Sequence, residues 1–132
     1  MLSYTWPAII TLLNIVLLLG VGALVGRARA KYHIVAPATT GDPMFERAFR
    51  VQMNTIESTV IFLPVVWLAA LYGAATLIAL AGIVWIGGRV VYALAYLKDP
   101  AKRGLGYGVS TLAFAVLLLD AAVEVARSLL AS

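Results

Sequence analysis

STVIFLPVVWLAALYGAATLIALAGIVWIGG, residues 58–88, runs for 31 positions without an Asp, Glu, Lys or Arg. A helix crosses roughly 30 Å of hydrocarbon with about 20 apolar residues, so this run exceeds one crossing. Tyr72-Gly73 interrupts it with turn chemistry. The stretch therefore reads as two helices joined by a tight connection, with residues on either side completing each crossing. Charge-free runs at 1–26 and 104–119 supply two more. The expected architecture is all-α: an integral membrane four-helix bundle in a single domain over 1–132, with helices at about 7–27, 43–72, 75–97 and 105–128.

Composition agrees. Of 132 residues, 63% are hydrophobic and 12% charged, with a mean hydropathy of +0.98. A soluble domain carries about a quarter charged residues, and a chain this short has too little interior to hide the excess apolar surface. A water-soluble enzyme, a disordered chain and a nucleic-acid-binding domain are excluded, despite a net charge of +4. With no Cys and one His, neither a thiolate nucleophile nor a His-based metal centre is expected. The first apolar run lacks a basic leader and is too long for a signal peptide, so it reads as an anchor.

Charge placement sets the topology. Arg27, Arg29, Lys31 and Arg47 follow the first helix, and Lys98, Lys102 and Arg103 follow the third. The positive-inside rule puts both large loops in the cytoplasm and both termini outside. Tyr4, Trp6 and Tyr72 then belong to an outer aromatic belt. Asp42-Pro43 is a strong start for helix 2, with a capping carboxylate followed by proline at the first helical position. Pro64 is expected to kink that helix. Gly104, Gly106 and Gly108 would admit a neighbouring backbone. Asp120, Glu124 and Arg127 share a face near the outer end of helix 4, where Arg127 could pair with both acids.

The polar half of helix 2 carries the functional signal. Arg50, Asn54 and Glu57 are spaced i, i+4, i+7 and share one face. Counting 20 residues back from Tyr72 puts Glu57 roughly 6 Å inside the inner hydrocarbon boundary. On helix 3, Arg89, Tyr92 and Tyr96 also share a face, with Arg89 about 9 Å inside. Charges at such depth are costly in lipid, so both faces must meet protein or a watery pocket. Arg89 could pair with Glu57 as a structural ion pair, but that would leave Arg50, Asn54 and both tyrosines unexplained. Arg50, Arg89 and Arg103 outnumber Glu57, so the pocket favours an anion. Its stripe from Arg50 to Glu57 is about 10.5 Å long, near the reach of an extended tripeptide.

The run from Thr40 through Gly41-Asp42-Pro43 and Arg50-Val51-Gln52-Met53-Asn54 to Glu57 resembles the helix 2 signature of the MAPEG superfamily. These are membrane-associated proteins in eicosanoid and glutathione metabolism. Gly88-Arg89-Val90-Val91-Tyr92-Ala93-Leu94-Ala95-Tyr96 resembles its helix 3 motif, followed by Arg103 at the spacing of the family's catalytic arginine. The resemblance implies a homotrimer with glutathione at each subunit interface. It implies that Arg50, Asn54, Glu57, Tyr92 and Tyr96 bind glutathione, that Arg29, Gln52 and Arg89 also line the site, and that Arg103 stabilises the thiolate. The second substrate would be a lipophilic electrophile from the bilayer, or a lipid hydroperoxide; no metal is implied. Phe62-Leu63-Pro64 is closer to the bacterial branch, implying a bacterial inner membrane. Where leukotriene C synthase has a tyrosine directly after the glutamate, this chain has Ser58.

Two other classes fit part of the pattern. A non-catalytic lipid-binding or scaffold protein on the same fold would tend to lose parts of the binding set, which is present here. A small multidrug exporter would need a proton-coupled membrane acid, whereas Glu57 shares a face with Arg50.

Overall fold

The computed structural model describes residues 4–132; residues 1–3, part of the terminus expected on the outer side, lie outside the described residues. Four helices follow in order: α1 Thr5–Tyr32, α2 Pro43–Tyr72, α3 Ala75–Lys98 and α4 Gly104–Leu130, with a 3-10 turn at Pro100–Lys102 before α4. All four are long and apolar enough to cross a membrane. Large apolar side chains such as Leu12, Val16, Leu80, Leu94, Leu112 and Leu119 stand exposed around the bundle, which is how a protein solvated by lipid looks. This is an integral membrane protein.

α2 starts where the sequence indicated. Asp42 Oδ1 accepts from the backbone N–H groups of Met44 and Phe45 at 2.8 and 3.2 Å, and Pro43 occupies the first turn. The helix runs unbroken through Pro64 to Tyr72. Only Gly73 and Ala74 separate it from α3, so α2 and α3 form the expected hairpin. α1 extends to Tyr32, beyond the expected residue 27. The apolar count marks where hydrocarbon ends, not where the helix does. Arg27 to Lys31 are good helix formers, and their charge suits a helix C-terminus. His33 closes α1 in the left-handed conformation at φ 57°.

α2 and α3 occupy the middle of the bundle, with α1 against both and α4 against both. One half of the core gathers Ile10, Phe62, Val66, Ile78, Trp85 and Leu117. Phe62 and Trp85 stack there with centroids 3.8 Å apart. Toward the other end, Val21, Val51, Tyr92 and Ala93 pack together, followed by Val25, Phe45 and Ala48.

Of the three glycines opening α4, only Gly106 makes the close approach. A Cβ there would overlap the Tyr92 backbone nitrogen and lie 2.7 Å from the Gly88 carbonyl oxygen, whereas Gly104 and Gly108 face open space. Gly106→Ala is therefore expected to push α4 off α3 and destabilise the detergent-solubilised protein by about 1–3 kcal/mol. Gly108→Ala should be neutral or slightly stabilising, since it gains helix propensity without a clash. Thermal unfolding of the pair tests this; equal melting points would remove the contact as a determinant of packing.

The C-terminal end of α4 departs from expectation. Arg127 Nη1 donates to Glu124 at 2.6 Å, but Asp120 does not join them. Its carboxylate turns toward Gly73 in the α2–α3 connection, because position 120 lies on the half of α4 that packs inward.

Candidate functional site

The polar faces of α2 and α3 meet, and Arg89 joins them. Its side chain is almost wholly enclosed, with the residue 1% exposed. Nη2 donates to Asn54 Oδ1 at 2.6 Å and to Thr55 Oγ1 at 3.2 Å. The guanidinium lies 4.3 Å from the Tyr92 ring centroid. A buried cation is tolerable only when its donors find acceptors; a neutral amide and a hydroxyl serve Nη2 and an aromatic face lies against the guanidinium, while Nε has no partner among the described residues. Glu57 is not its partner. That carboxylate sits 3.8 Å from Arg50 Nη1, and both side chains are more than half exposed, at 62% and 55%.

In front of this joint opens a cavity of about 350 Å³. α2 contributes Arg50 and Asn54, α3 contributes Tyr92 and Tyr96, and the start of α4 contributes Arg103, Gly104 and Tyr107. The three phenol rings form a tilted array, with Tyr92 5.7 Å from Tyr96 and 6.2 Å from Tyr107.

Local sequence explains how Arg103 reaches the cavity. Lys98-Asp99-Pro100 ends α3, because proline cannot continue the ladder. Asp99 Oδ1 accepts from Ala101 N at 3.0 Å and shapes the 3-10 turn. Arg103 Nη1 then donates to the Pro100 carbonyl at 2.9 Å. Its guanidinium carbon is 6.0 Å from the Tyr96 centroid. Gly104 begins α4 here, so the unpaired N–H groups of a helix start add positive potential. With two arginines on the cavity and Glu57 near it only through Arg50, the site carries surplus positive charge. It can hold an anionic ligand, stack or hydrogen-bond it against phenols, and stabilise a negative atom near Arg103. Among the described residues, no cluster of three or more His, Cys, Asp or Glu could hold a metal ion.

Of the nine residues singled out from sequence, Arg50, Asn54, Tyr92, Tyr96 and Arg103 line the cavity. Glu57 joins through Arg50, and Arg89 stands behind Asn54 and Tyr92. The remaining two lie elsewhere on the subunit. Gln52 packs against Gly22 of α1. Arg29 donates to the Ala38 carbonyl at 2.8 Å and lies 4.8 Å from the Phe45 ring centroid, pinning the segment between α1 and α2. Tyr107 was not singled out, although its spacing of i+4 from Arg103 puts both on one face.

Sequence comparison bears on this geometry. The model of the MAPEG family matches residues 7–123. The chain belongs to this family. An uncharacterized protein of Synechocystis sp. is 44% identical over 120 residues, covering 91% of this chain and 88% of its own. Microsomal glutathione S-transferase 2 of Homo sapiens is 40% identical over 106 residues, covering 80% of this chain and 72% of that protein. Leukotriene C4 synthase of Cavia porcellus is 35% identical over 96 residues, covering 73% of this chain and 64% of that protein. The matched region includes α2 and α3 entire and most of α1 and α4, and so the whole cationic, phenol-lined cavity of this MAPEG protein.

Proposed function

We propose that the protein is a membrane-embedded glutathione transferase that activates the glutathione thiolate for attack on lipophilic electrophiles. The observation that carries this is the cavity where Arg50, Asn54, Tyr92, Tyr96 and Arg103 converge, in a chain 40% identical to a microsomal glutathione S-transferase. Glutathione is a tripeptide with two carboxylates and one ammonium, and the cavity offers matching groups. Arg50 takes a carboxylate, Glu57 the γ-glutamyl ammonium, and Asn54, Tyr92 and Tyr96 the peptide groups. Arg89 acts from behind by fixing Asn54 and Tyr92.

Arg103 faces the sulfur. A free thiol has a pKa of about 8.5, and the thiolate is the nucleophile. Lowering that pKa to about 6.5 takes roughly 2.7 kcal/mol of preferential stabilisation of the anion. A guanidinium at the mouth of a helix, screened from bulk water by a bound peptide, can supply it. The electrophile arrives from the hydrocarbon, where such molecules concentrate.

Arg29 and Gln52 reach this chemistry only if a second copy brings them. Both lie toward α1, away from the cavity of their own subunit, so a homotrimer with glutathione between subunits accounts for all nine residues. The basic ends of α1 and α3 support placing both large loops on the cytoplasmic side of a bacterial inner membrane, where cytosolic thiol is available.

A thiol screen by thermal shift tests the reading. Glutathione at about 100 times its dissociation constant should stabilise the native protein by about 2.7 kcal/mol. Glu57→Gln should weaken glutathione about tenfold, the worth of one partly exposed charge-assisted hydrogen bond. No shift with glutathione alongside a shift with another small thiol would reassign the co-substrate. An unchanged affinity in the variant would remove Glu57 from the site.

A further inference from the structure

α1 carries two cations that the thiol site does not use. Arg27 and Lys31 are exposed and stand one turn apart on one face of the helix. Among the described residues neither enters an ion pair; the pairs formed are Arg50 with Glu57 and Arg127 with Glu124. Lys31 Nζ lies 5.4 Å from the Tyr32 ring centroid. Both cations line a cavity of about 240 Å³ where α1 runs past α2 and α3. The rest of its wall is mainly apolar, with Leu24 and Ala28 from α1, Met44 and Ala48 from α2, and Leu97 from α3.

The acids at the start of α2 do not neutralise this mouth. Asp42 Oδ1 accepts from the backbone N–H groups of Met44 and Phe45 and caps the helix. Glu46 lies two residues from both Met44 and Ala48, about 200° around α2 from each, and so faces away from the cavity. Depth supplies the other half of the pattern. Arg27 is the first charge after the uncharged run 1–26, so the two cations stand where hydrocarbon gives way to headgroups. Leu24 lies about 4.5 Å further in. The cavity thus has a cationic mouth and an apolar floor. It is also several times larger than the roughly 30 Å³ share of one water molecule. A small inorganic anion would match the mouth and leave the floor bare. A lipid without net charge would fill the floor and leave the cations unmatched.

We propose that this cavity seats an anionic phospholipid, its phosphate accepting from Arg27 and Lys31 and the start of one acyl chain lying along Leu24, Ala28, Ala48 and Leu97. The guanidinium offers paired N–H groups to two phosphate oxygens, and the ammonium adds a point charge beside them. Basic pockets between membrane helices bind anionic headgroups in this way. A zwitterionic lipid brings its own ammonium to the same two cations and binds more weakly. The seated lipid bridges the end of α1 to α2 and α3, so it binds the folded protein and stabilises it. No residue is shared between this cavity and the one holding Arg103, and the lipid seat stands whether or not the thiol chemistry does. Arg29 lies two positions from both cations, on the far side of α1 from them, so the neighbour it would meet in the proposed trimer leaves this seat open.

Thermal unfolding in a neutral maltoside detergent tests the seat with three probes: dioleoylphosphatidylglycerol, dioleoylphosphatidylcholine and glycerol 3-phosphate. Phosphatidylglycerol should raise Tm saturably, with half its effect at about one tenth of the phosphatidylcholine needed. Glycerol 3-phosphate, the same headgroup chemistry without chains, should leave Tm unchanged. Arg27→Gln/Lys31→Gln should erase the tenfold preference. Ala28→Phe keeps both cations but fills the floor, and should erase it as well, which diffuse attraction to a basic surface would not do. Met44→Trp fills the cavity from the α2 side and takes its place if Ala28→Phe does not fold. Lys98→Gln/Lys102→Gln removes equal charge beyond the cavity and should keep the preference. Equal shifts with the two lipids, or an equal shift with glycerol 3-phosphate, would overturn the proposal. So would a preference that survives filling of the floor, or one lost as fully in Lys98→Gln/Lys102→Gln.

Discussion

Arg103→Ala is expected to slow conjugation of glutathione to a hydrophobic aryl halide by about 10²–10³-fold, the usual consequence of removing one preorganised donor from a developing or resident anion. Glutathione affinity should change much less, because on the proposed reading Arg50, Asn54 and Glu57 hold other parts of the peptide. The pH profile separates this role from a structural one. If the intact site acidifies the thiol as proposed, it is deprotonated below its free value of about 8.5 and the rate should already be high near neutrality. Without Arg103 the rising limb moves to higher pH. The gap between variant and parent is then widest below about pH 7 and narrows above about pH 9, where solvent removes the proton unaided. Stopped-flow measurement of thiolate absorbance on mixing protein with glutathione gives the same quantity directly. A variant with full rate, or one whose deficit is constant across pH, would take the sulfur away from Arg103.

The second large effect tests where Arg29 and Gln52 act. Arg103→Ala subunits and Arg29→Ala/Gln52→Ala subunits should each be close to inactive alone. Co-assembled in equal amounts, they should recover roughly a quarter of parental activity, since in a closed ring one interface in four joins an intact Arg103 to an intact Arg29 and Gln52. Recovery also answers the concern that Arg29→Ala merely loosens the segment held through Ala38, because a misfolded subunit could not complement. Two inactive populations that stay inactive on mixing would put every needed residue within one subunit.

Much of the frame could be read from the amino acids. The α2–α3 hairpin followed from an uncharged run too long for one crossing, and the meeting of two polar faces followed from helical spacing plus depth. Those are local properties, set by 1.5 Å per residue and by the cost of charge in hydrocarbon. What stayed hidden depended on geometry that spacing does not encode. Arg89 could be placed on the α3 face that meets α2, yet its choice of Asn54 and Thr55 over Glu57 is set by the rotation of α2 against α3. Arg29 was grouped with the site residues, and its bond to the Ala38 carbonyl depends on the path of the connection, which spacing does not give. Asp120 carries the same pattern as Glu124, but only packing against Gly73 separates their fates. Tyr107 was legible and overlooked: a phenol one turn from Arg103 at the start of a helix.

The joint between Arg89 and the Asn54-Thr55 pair also has consequences for biogenesis. Arg89 presented to the bilayer by a lone nascent segment would cost about 2.5–3.5 kcal/mol on insertion scales. With only Gly73 and Ala74 between them, α2 is still beside the translocon's lateral gate when α3 emerges, and its amide and hydroxyl can receive the guanidinium at once. The two segments then partition from translocon to lipid as one helical hairpin, and Asn54→Leu would show up first as poor yield in the membrane fraction.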